Sequence, residues 1–329
     1  MKLTRRNFFK LAGMAGLVGL VGNVTACTNS ATVIENVAVA DKLPPAETAK
    51  VFFSKKLDAD HLIALYKKIN SEISGKVAIK LHTGEPNGPN ILPREWVKAF
   101  QSQIPNSAIV ETNTLYGGAR STTEKHRRTL KTNGWTFCEV DILDADGDTN
   151  FPVKNGLRLS EVAMGSHLTN YDSLIALTHF KGHAMAGFGG SLKNIAIGCA
   201  SGKGGKLQIH GNNWETGKEF LERMVDSGKA VCDHFGRKIV YINVLNRLSV
   251  DCDCAGAGAS APELPDIGIL ASTDILAVDQ ASVDMIYNFP DDRKNFLITR
   301  IESREGRHQL AAMKELQMGT NKYELISID

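Results

Sequence analysis

Between Thr178 and His210 the chain reads THFKGHAMAGFGGSLKNIAIGCASGKGGKLQIH, a segment that combines His179, His183, His210, Cys199, several lysines and many glycines. Imidazole, thiolate and amine are the side chains that bind metals, move protons or form covalent adducts, and glycine lets backbone come close to a ligand. His179 and His183 directly follow the apolar run Leu174 to Leu177. They stand where a strand ends and a loop begins, the usual address of active sites in α/β sheets. The pair is read as functional, His183 first. His61, His126 and His308 lie in helical, polar stretches and read as surface residues.

Two further groups suggest what the segment acts on. Lys193 and Arg120, with the backbone N–H groups of Gly187, Gly189, Gly190 and Ser191, form a candidate clamp for a carboxylate or phosphate. The pair Cys252 and Cys254 is separated by one residue, which gives poor disulfide geometry and suits a shared metal or cluster better. Cys199 and His210 are the further candidate ligands, and a buried structural thiol is the competing reading for Cys199.

Several motifs fail. Asp144, Asp146 and Asp148 have calcium-loop spacing, but Thr149 and Asn155 stand where that loop needs glycine and glutamate. Gly204 follows Lys203 where a phosphate-binding loop requires serine or threonine. Leu192 occupies the third-glycine position of a dinucleotide fingerprint. Neither ATP nor NAD is supported.

The elements that must position these residues alternate. The pattern predicts a helix over 58–74 with Asp58 as N-cap, then strands at 77–81, 108–111 and 137–143. Helices are expected between them, near Arg94 and at Thr122, the latter with a Ser121/Glu124 capping box. In the second half come strand 173–178, the glycine-rich segment, helix 215–234 and strand 239–245. Strand 267–272, helix 282–288, a charged helix over 305–317 and a last strand at 323–328 close the chain. Strands alternating with helices predict α/β architecture with parallel or mixed sheets. The expected organisation is an N-terminal α/β domain over 48–165 and a C-terminal one over 166–329, with a cleft between them.

The 329 residues are 43% hydrophobic and 22% charged, an ordinary globular composition, and the net charge of +2 gives no nucleic-acid footprint. The N-terminus is set apart. Arg5-Arg6 begins a twin-arginine pattern, and the glycine-rich apolar run from Leu11 to Val21 is too short to span a bilayer. Residues 1–27 therefore read as a signal for export to the periplasm. Val24-Thr25-Ala26-Cys27 either forms a lipoprotein box with Cys27 acylated, or marks simple cleavage near Ala26. Residues 28–47 read as a tether, so membrane contact is expected only through the signal or a lipid. This route exports folded proteins, which favours a bound cofactor.

The segments HFKGHAMAGFGGSLKNIAIGCAS, VDCDCAG and LPDIGILASTDILAVDQASVD resemble the domain-of-unknown-function 362 family, described as uncharacterised iron-sulfur centre proteins, over about Val77 to Asn288. Many of those relatives carry a two-cluster ferredoxin insert after the glycine-rich segment. Here His210 leads directly through Trp214 into the following helix. More distantly, HAMAGFGGSLK is similar to a segment of the nickel-pincer lactate racemase family. That resemblance implies His183 as acid/base, Lys193 as cofactor attachment and His210 as nickel ligand. Ala119 stands where those racemases have a second histidine, which argues against a symmetric racemisation. The resemblances imply an iron-sulfur cluster or a nickel-containing cofactor without fixing which, and the leading expectation is a metal- or cofactor-dependent enzyme of redox or proton-transfer type acting on a small anionic substrate. The competing readings are an electron-transfer protein with a redox partner, and an anion-binding accessory protein without catalysis.

Overall fold

The computed structural model describes residues 46–329; the twin-arginine pattern, Cys27 and almost all of the tether lie outside the described residues. The described residues open with strand β1 (Ala49–Ser54) and helix α1 (Ala59–Ile69). Asp58 caps α1, its carboxylate accepting from the His61 N–H at 2.8 Å. Then come β2 (Val77–Lys80), α2 (Arg94–Ser102), β3 (Ser107–Glu111), α3 (Thr123–Thr132) and β4 (Val140–Ile142). The α3 cap is Thr122 rather than the expected Ser121, its side chain accepting from Lys125 N–H. A hairpin of β5 (Asp148–Pro152) and β6 (Glu161–Gly165) precedes β7 (Ser173–His179).

The glycine-rich segment is not a loop. It folds as a second hairpin, β8 (Lys181–His183) with β9 (Gly187–Gly189), followed by α4 (Ser191–Cys199) and the short α5 (Gly205–His210). The remainder is α6 (Lys218–Phe235), β10 (Ile239–Leu245), β11 (Gly268–Ser272), α7 (Ile275–Tyr287), α8 (Lys294–Glu302), α9 (His308–Glu315) and β12 (Tyr323–Ser327).

Eight strands form one sheet in the order β12-β1-β11-β10-β7-β2-β3-β4. It is mostly parallel, with β11 antiparallel to both neighbours. Alternation along the strands divides the core. Ala78, Leu174 and Ala176 face a layer containing α4, α6 and α7, whereas Val77, Ile79, Ile175 and Leu177 face α1 and α2. Burial on both faces explains why β7 reads as a continuous apolar run.

The α/β class with a mixed sheet holds. The boundary expected near Gly165 falls inside one compact unit, because β2 pairs with β7 and so joins the strands on either side of it. That pairing also sets the site. The chain runs outward from β2 to β3 and β4 on one side and from β7 to β10 on the other. A reversal of this kind opens a crevice beyond the carboxyl ends of the strands. Among the described residues, no helix is long and apolar enough to cross a membrane.

Candidate active site

At the carboxyl ends of β2, β3 and β7 lies a cavity of about 260 Å³. Its wall includes His82 after β2, Glu111 at the end of β3, Arg120 in the next loop, and His183 on β8. Lys193 of α4, His210 of α5 and Cys254 complete the reactive lining. Of the residues singled out from sequence, the structure therefore brings His183, Lys193, Arg120, His210 and Cys254 to one space. Sequence reasoning passed over Lys80, Glu111 and Lys206, and also His82. The signal for His82 was available, since it follows a strand end as His179 and His183 do.

The cations of the cavity differ in what they are free to bind. Lys80 donates to Glu111 Oε2 at 3.1 Å, Leu81 O at 2.8 Å and Asn194 Oδ1 at 3.2 Å. Arg120 donates to Glu85 at 2.8 Å, to Glu111 at 3.4 Å and to the Tyr116 hydroxyl at 3.0 Å. Burial alone would raise the Glu111 carboxyl, but Lys80 and Arg120 together hold it well below the usual carboxylate range. Burial lowers Lys80 while Glu111 opposes it, so the carboxylate, with two cations, is the better anchored member. Lys206 gives its protons to Thr112 Oγ1, Asn113 O and Ala200 O, and burial lowers its pKa to about 8. Arg120, expected as part of the substrate clamp, has its guanidinium engaged by two carboxylates and a phenol. Lys193, 8% exposed, has no hydrogen-bond or ion-pair partner among the described residues.

The glycines answer to packing. The Ser191 and Leu192 N–H groups at the start of α4 donate to the Asp279 carboxylate at 2.8 and 3.0 Å, so these amides are closed to an outside anion. Gly190 is small because a β-carbon there would overlap that carboxylate. Gly187, at φ +79°, lies against Gly306 and Ile301. Of the three candidate cofactor glycines only Gly189 borders the reactive lining, where its missing β-carbon leaves room for the Lys193 stem at 3.3 Å.

Cys252 and Cys254 sit on a loop anchored by the residue between them. Asp253 accepts from Lys181 Nζ at 2.8 Å and lies 2.9 Å from His179 Nδ1, while His179 Nε2 is 2.8 Å from Asn246 O. His179 is thereby a buried brace for the cysteine loop. A ring nitrogen of His183 and the sulfurs of Cys252 and Cys254 all lie within 4.8 Å of one another. A hydrogen bond from the Cys254 thiol drives Cys252 well below the ordinary thiol range, with Lys193, Lys181 and His82 adding to it against burial. Cys254 moves the opposite way, because it hydrogen-bonds Cys252 and faces its charge, so the two thiols titrate as a pair.

His183 Nδ1 accepts the N–H groups of Met185 at 3.2 Å and Ala186 at 3.0 Å. The neutral ring therefore carries its proton on Nε2. Burial, and then Lys193, push its pKa well below the ordinary value, which keeps it neutral. His82 is arranged alike, with Nδ1 accepting from Gly84 N–H at 3.0 Å and its side chain bonded to Cys252.

Cys199 does not join the group. It is fully buried at the end of α4, and burial raises its thiol to about 12. His210 stands apart from the cysteine pair, its ring packed on Trp214 at 5.0 Å and Phe220 at 5.1 Å. Burial lowers it to about 4. His126, read as a surface residue, is fully buried under α3 with neither ring nitrogen partnered among the described residues.

Residues 77–284 match the family described as Domain of unknown function (DUF362), and the chain belongs to that family. Among solved structures it is similar to the lactate racemase apoprotein from Thermoanaerobacterium thermosaccharolyticum, at 12% identity and a TM-score of 0.40. That likeness covers 72% of this chain and 57% of the racemase chain, so the chain spans little more than half of that neighbour. No curated protein sequence matches.

Proposed function

We propose that this chain is a metal-dependent enzyme, exported by its twin-arginine segment, that acts on a small anionic substrate by redox or proton-transfer chemistry. The observation that carries this reading is the pairing of the Cys252 and Cys254 sulfurs, with a His183 ring nitrogen within 4.8 Å, beside a cavity lined by Lys193, which has no hydrogen-bond or ion-pair partner among the described residues. Two soft sulfur donors fit a thiophilic transition metal such as zinc, iron or nickel, and not magnesium or calcium. A four-cysteine cluster fits less well, since only this pair of thiols joins the ligand group among the described residues. Cys252 and Cys254 would hold the ion; when bound it would supply Lewis-acid or redox character next to the cavity.

The chain's own residues provide the rest. Lys193 pairs with the substrate's anionic group. His183 keeps its Nε2 proton because Nδ1 is occupied by two amides. A neutral imidazole that donates from Nε2 polarises a substrate oxygen without itself carrying charge, as neutral histidines do in other enzymes. A ligand role would require replacing that proton, which is why His183 is assigned to the substrate and the cysteines to the metal. Lys181 and His179, through Asp253, keep the thiols in place.

Elemental analysis of protein purified without oxygen tests this. Wild type and Cys199→Ser should carry one transition-metal ion per chain, and Cys252→Ser and Cys254→Ser should lose it. Retention of metal in both loop variants, or a metal-free wild type with full activity, overturns the reading.

A further inference from the structure

We infer that the ligand of this cavity is an amphipathic monoanion: one carboxylate-like group, met by Lys193, on an apolar body packed against Trp214, Phe220, Met185, Ile197 and Leu115. This deepens the reading of the cavity as a substrate site and rests on it.

The argument is a census of charge and surface. Four cationic side chains line the cavity: Lys80, Arg120, Lys193 and Lys206. Lys80 and Arg120 are neutralised by Glu111 and Glu85. All three ammonium protons of Lys206 have acceptors within the protein. The helix N-terminus that could have bound a phosphate is closed by Asp279. What remains is the Lys193 ammonium, without a hydrogen-bond or ion-pair partner among the described residues. The Cys252 thiol group whose ionisation it favours is assigned to the metal, and a buried ammonium left unpaired is costly unless an anionic ligand completes it. A phosphate monoester or a dicarboxylate brings a second negative charge for which no free cation stands in the wall among the described residues. Glu111 would then repel it.

The rest of the wall is apolar. Met185, Ile197, Leu115 and Phe220 contribute side chains with no polar group to satisfy, and Phe220 is fully buried. Trp214 lies at the rim. It is 43% exposed, far more than a tryptophan needs for packing alone, and its ring leans on His210 at 5.0 Å. It sits at φ +52° between Gly211 and Gly217, both also at positive φ. The cost of that backbone is understandable if the ring must face the cavity rather than solvent. An apolar body beneath it would complete the burial of the indole.

The test is calorimetric titration of the purified full-length chain with acetate, butyrate, hexanoate, hexanol, adipate and inorganic phosphate, each against metal-loaded and chelator-treated protein. Affinity should rise roughly fourfold per methylene from acetate to hexanoate. Hexanol, which lacks the charge, and adipate, which adds a second one, should bind at least tenfold more weakly than hexanoate, roughly the cost of one unmatched polar contact. Trp214→Ala should weaken hexanoate while leaving acetate unchanged, and Lys193→Met should abolish hexanoate binding in a protein whose circular dichroism is unaltered. A flat series, or phosphate or adipate binding more tightly than hexanoate, overturns the inference. So does an added mass on the Lys193 peptide, because a covalently modified amine is no longer the cation. Metal content is read independently, so loss of the metal assignment leaves this series interpretable.

Discussion

Gly198, in the last turn of α4, decides whether Lys80 reaches Glu111, and replacing it with alanine sets two known effects against each other. A β-carbon at 198 would overlap Lys80 Cε and lie 2.5 Å from Nζ. Lysine is flexible, and at a surface the clash would be relieved by a rotamer change. Here Lys80 is 1% exposed and its three protons are fixed by Glu111, Leu81 O and Asn194. Displacing one member of a buried ion pair costs about 3–5 kcal/mol. Alanine in place of glycine within a helix returns about 1 kcal/mol. Because Arg120 still faces Glu111 at 3.4 Å, the net for Gly198→Ala should fall near the lower end, about 2–3 kcal/mol destabilising. Urea unfolding at pH 7 reads this as a lowered midpoint at unchanged slope. In a Lys80→Ala background the obstacle is gone, and the same substitution should be neutral or stabilising by up to about 1 kcal/mol. Gly198→Ala protein as stable as wild type would refute the reasoning, since helix propensity would then have met no opposing contact.

Acid should weaken the fold through its buried histidines. Burial lowers His126 to about 3 and His210 to about 4, so as pH falls the unfolded chain takes up the proton first, near pH 6.5. The stability they contribute is fully present above that pH and is lost as pH falls toward the folded values. His126→Leu should lose about 3 kcal/mol less than wild type between pH 7 and 4.5, measured by denaturant unfolding at both pH values; equal losses would refute the assignment. Gly190→Ala should lower the melting temperature by several degrees, since Asp279 must leave the α4 amides, and a substitution that raises it would show the cap to be dispensable. Arg120→Gln should cost about 3 kcal/mol in urea unfolding while hexanoate affinity in the folded fraction holds; unchanged stability with lost affinity would return Arg120 to the substrate.

Much of the fold was legible because it is local. Strand 239–245 coincides with β10, and the Asp58 cap of α1 was read from a short polar residue before an apolar period. The address of His183 followed from its place after β7, and the Cys252-Asp253-Cys254 spacing pointed to two thiols that the fold holds close together. The glycine-rich segment was misread as loop. Its glycines signalled close approach correctly but could not say what approached. Gly190 meets Asp279, 89 positions away, and Gly198 meets Lys80, far behind it in the chain.

What the sequence by itself determined is the α/β class, the strand-end histidines and the thiol pair, because hydrophobic period and turn chemistry act over a few residues. Which cations remain free was decided only by the tertiary structure. Arg120 looked like a substrate clamp until Glu85 and Glu111, from two other segments, closed around it. Lys193 looked equivalent and was left without a hydrogen-bond or ion-pair partner among the described residues. A charged side chain's role depends on whether an opposite charge from elsewhere in the chain is folded against it, and that pairing is a property of the sheet order, not of any motif.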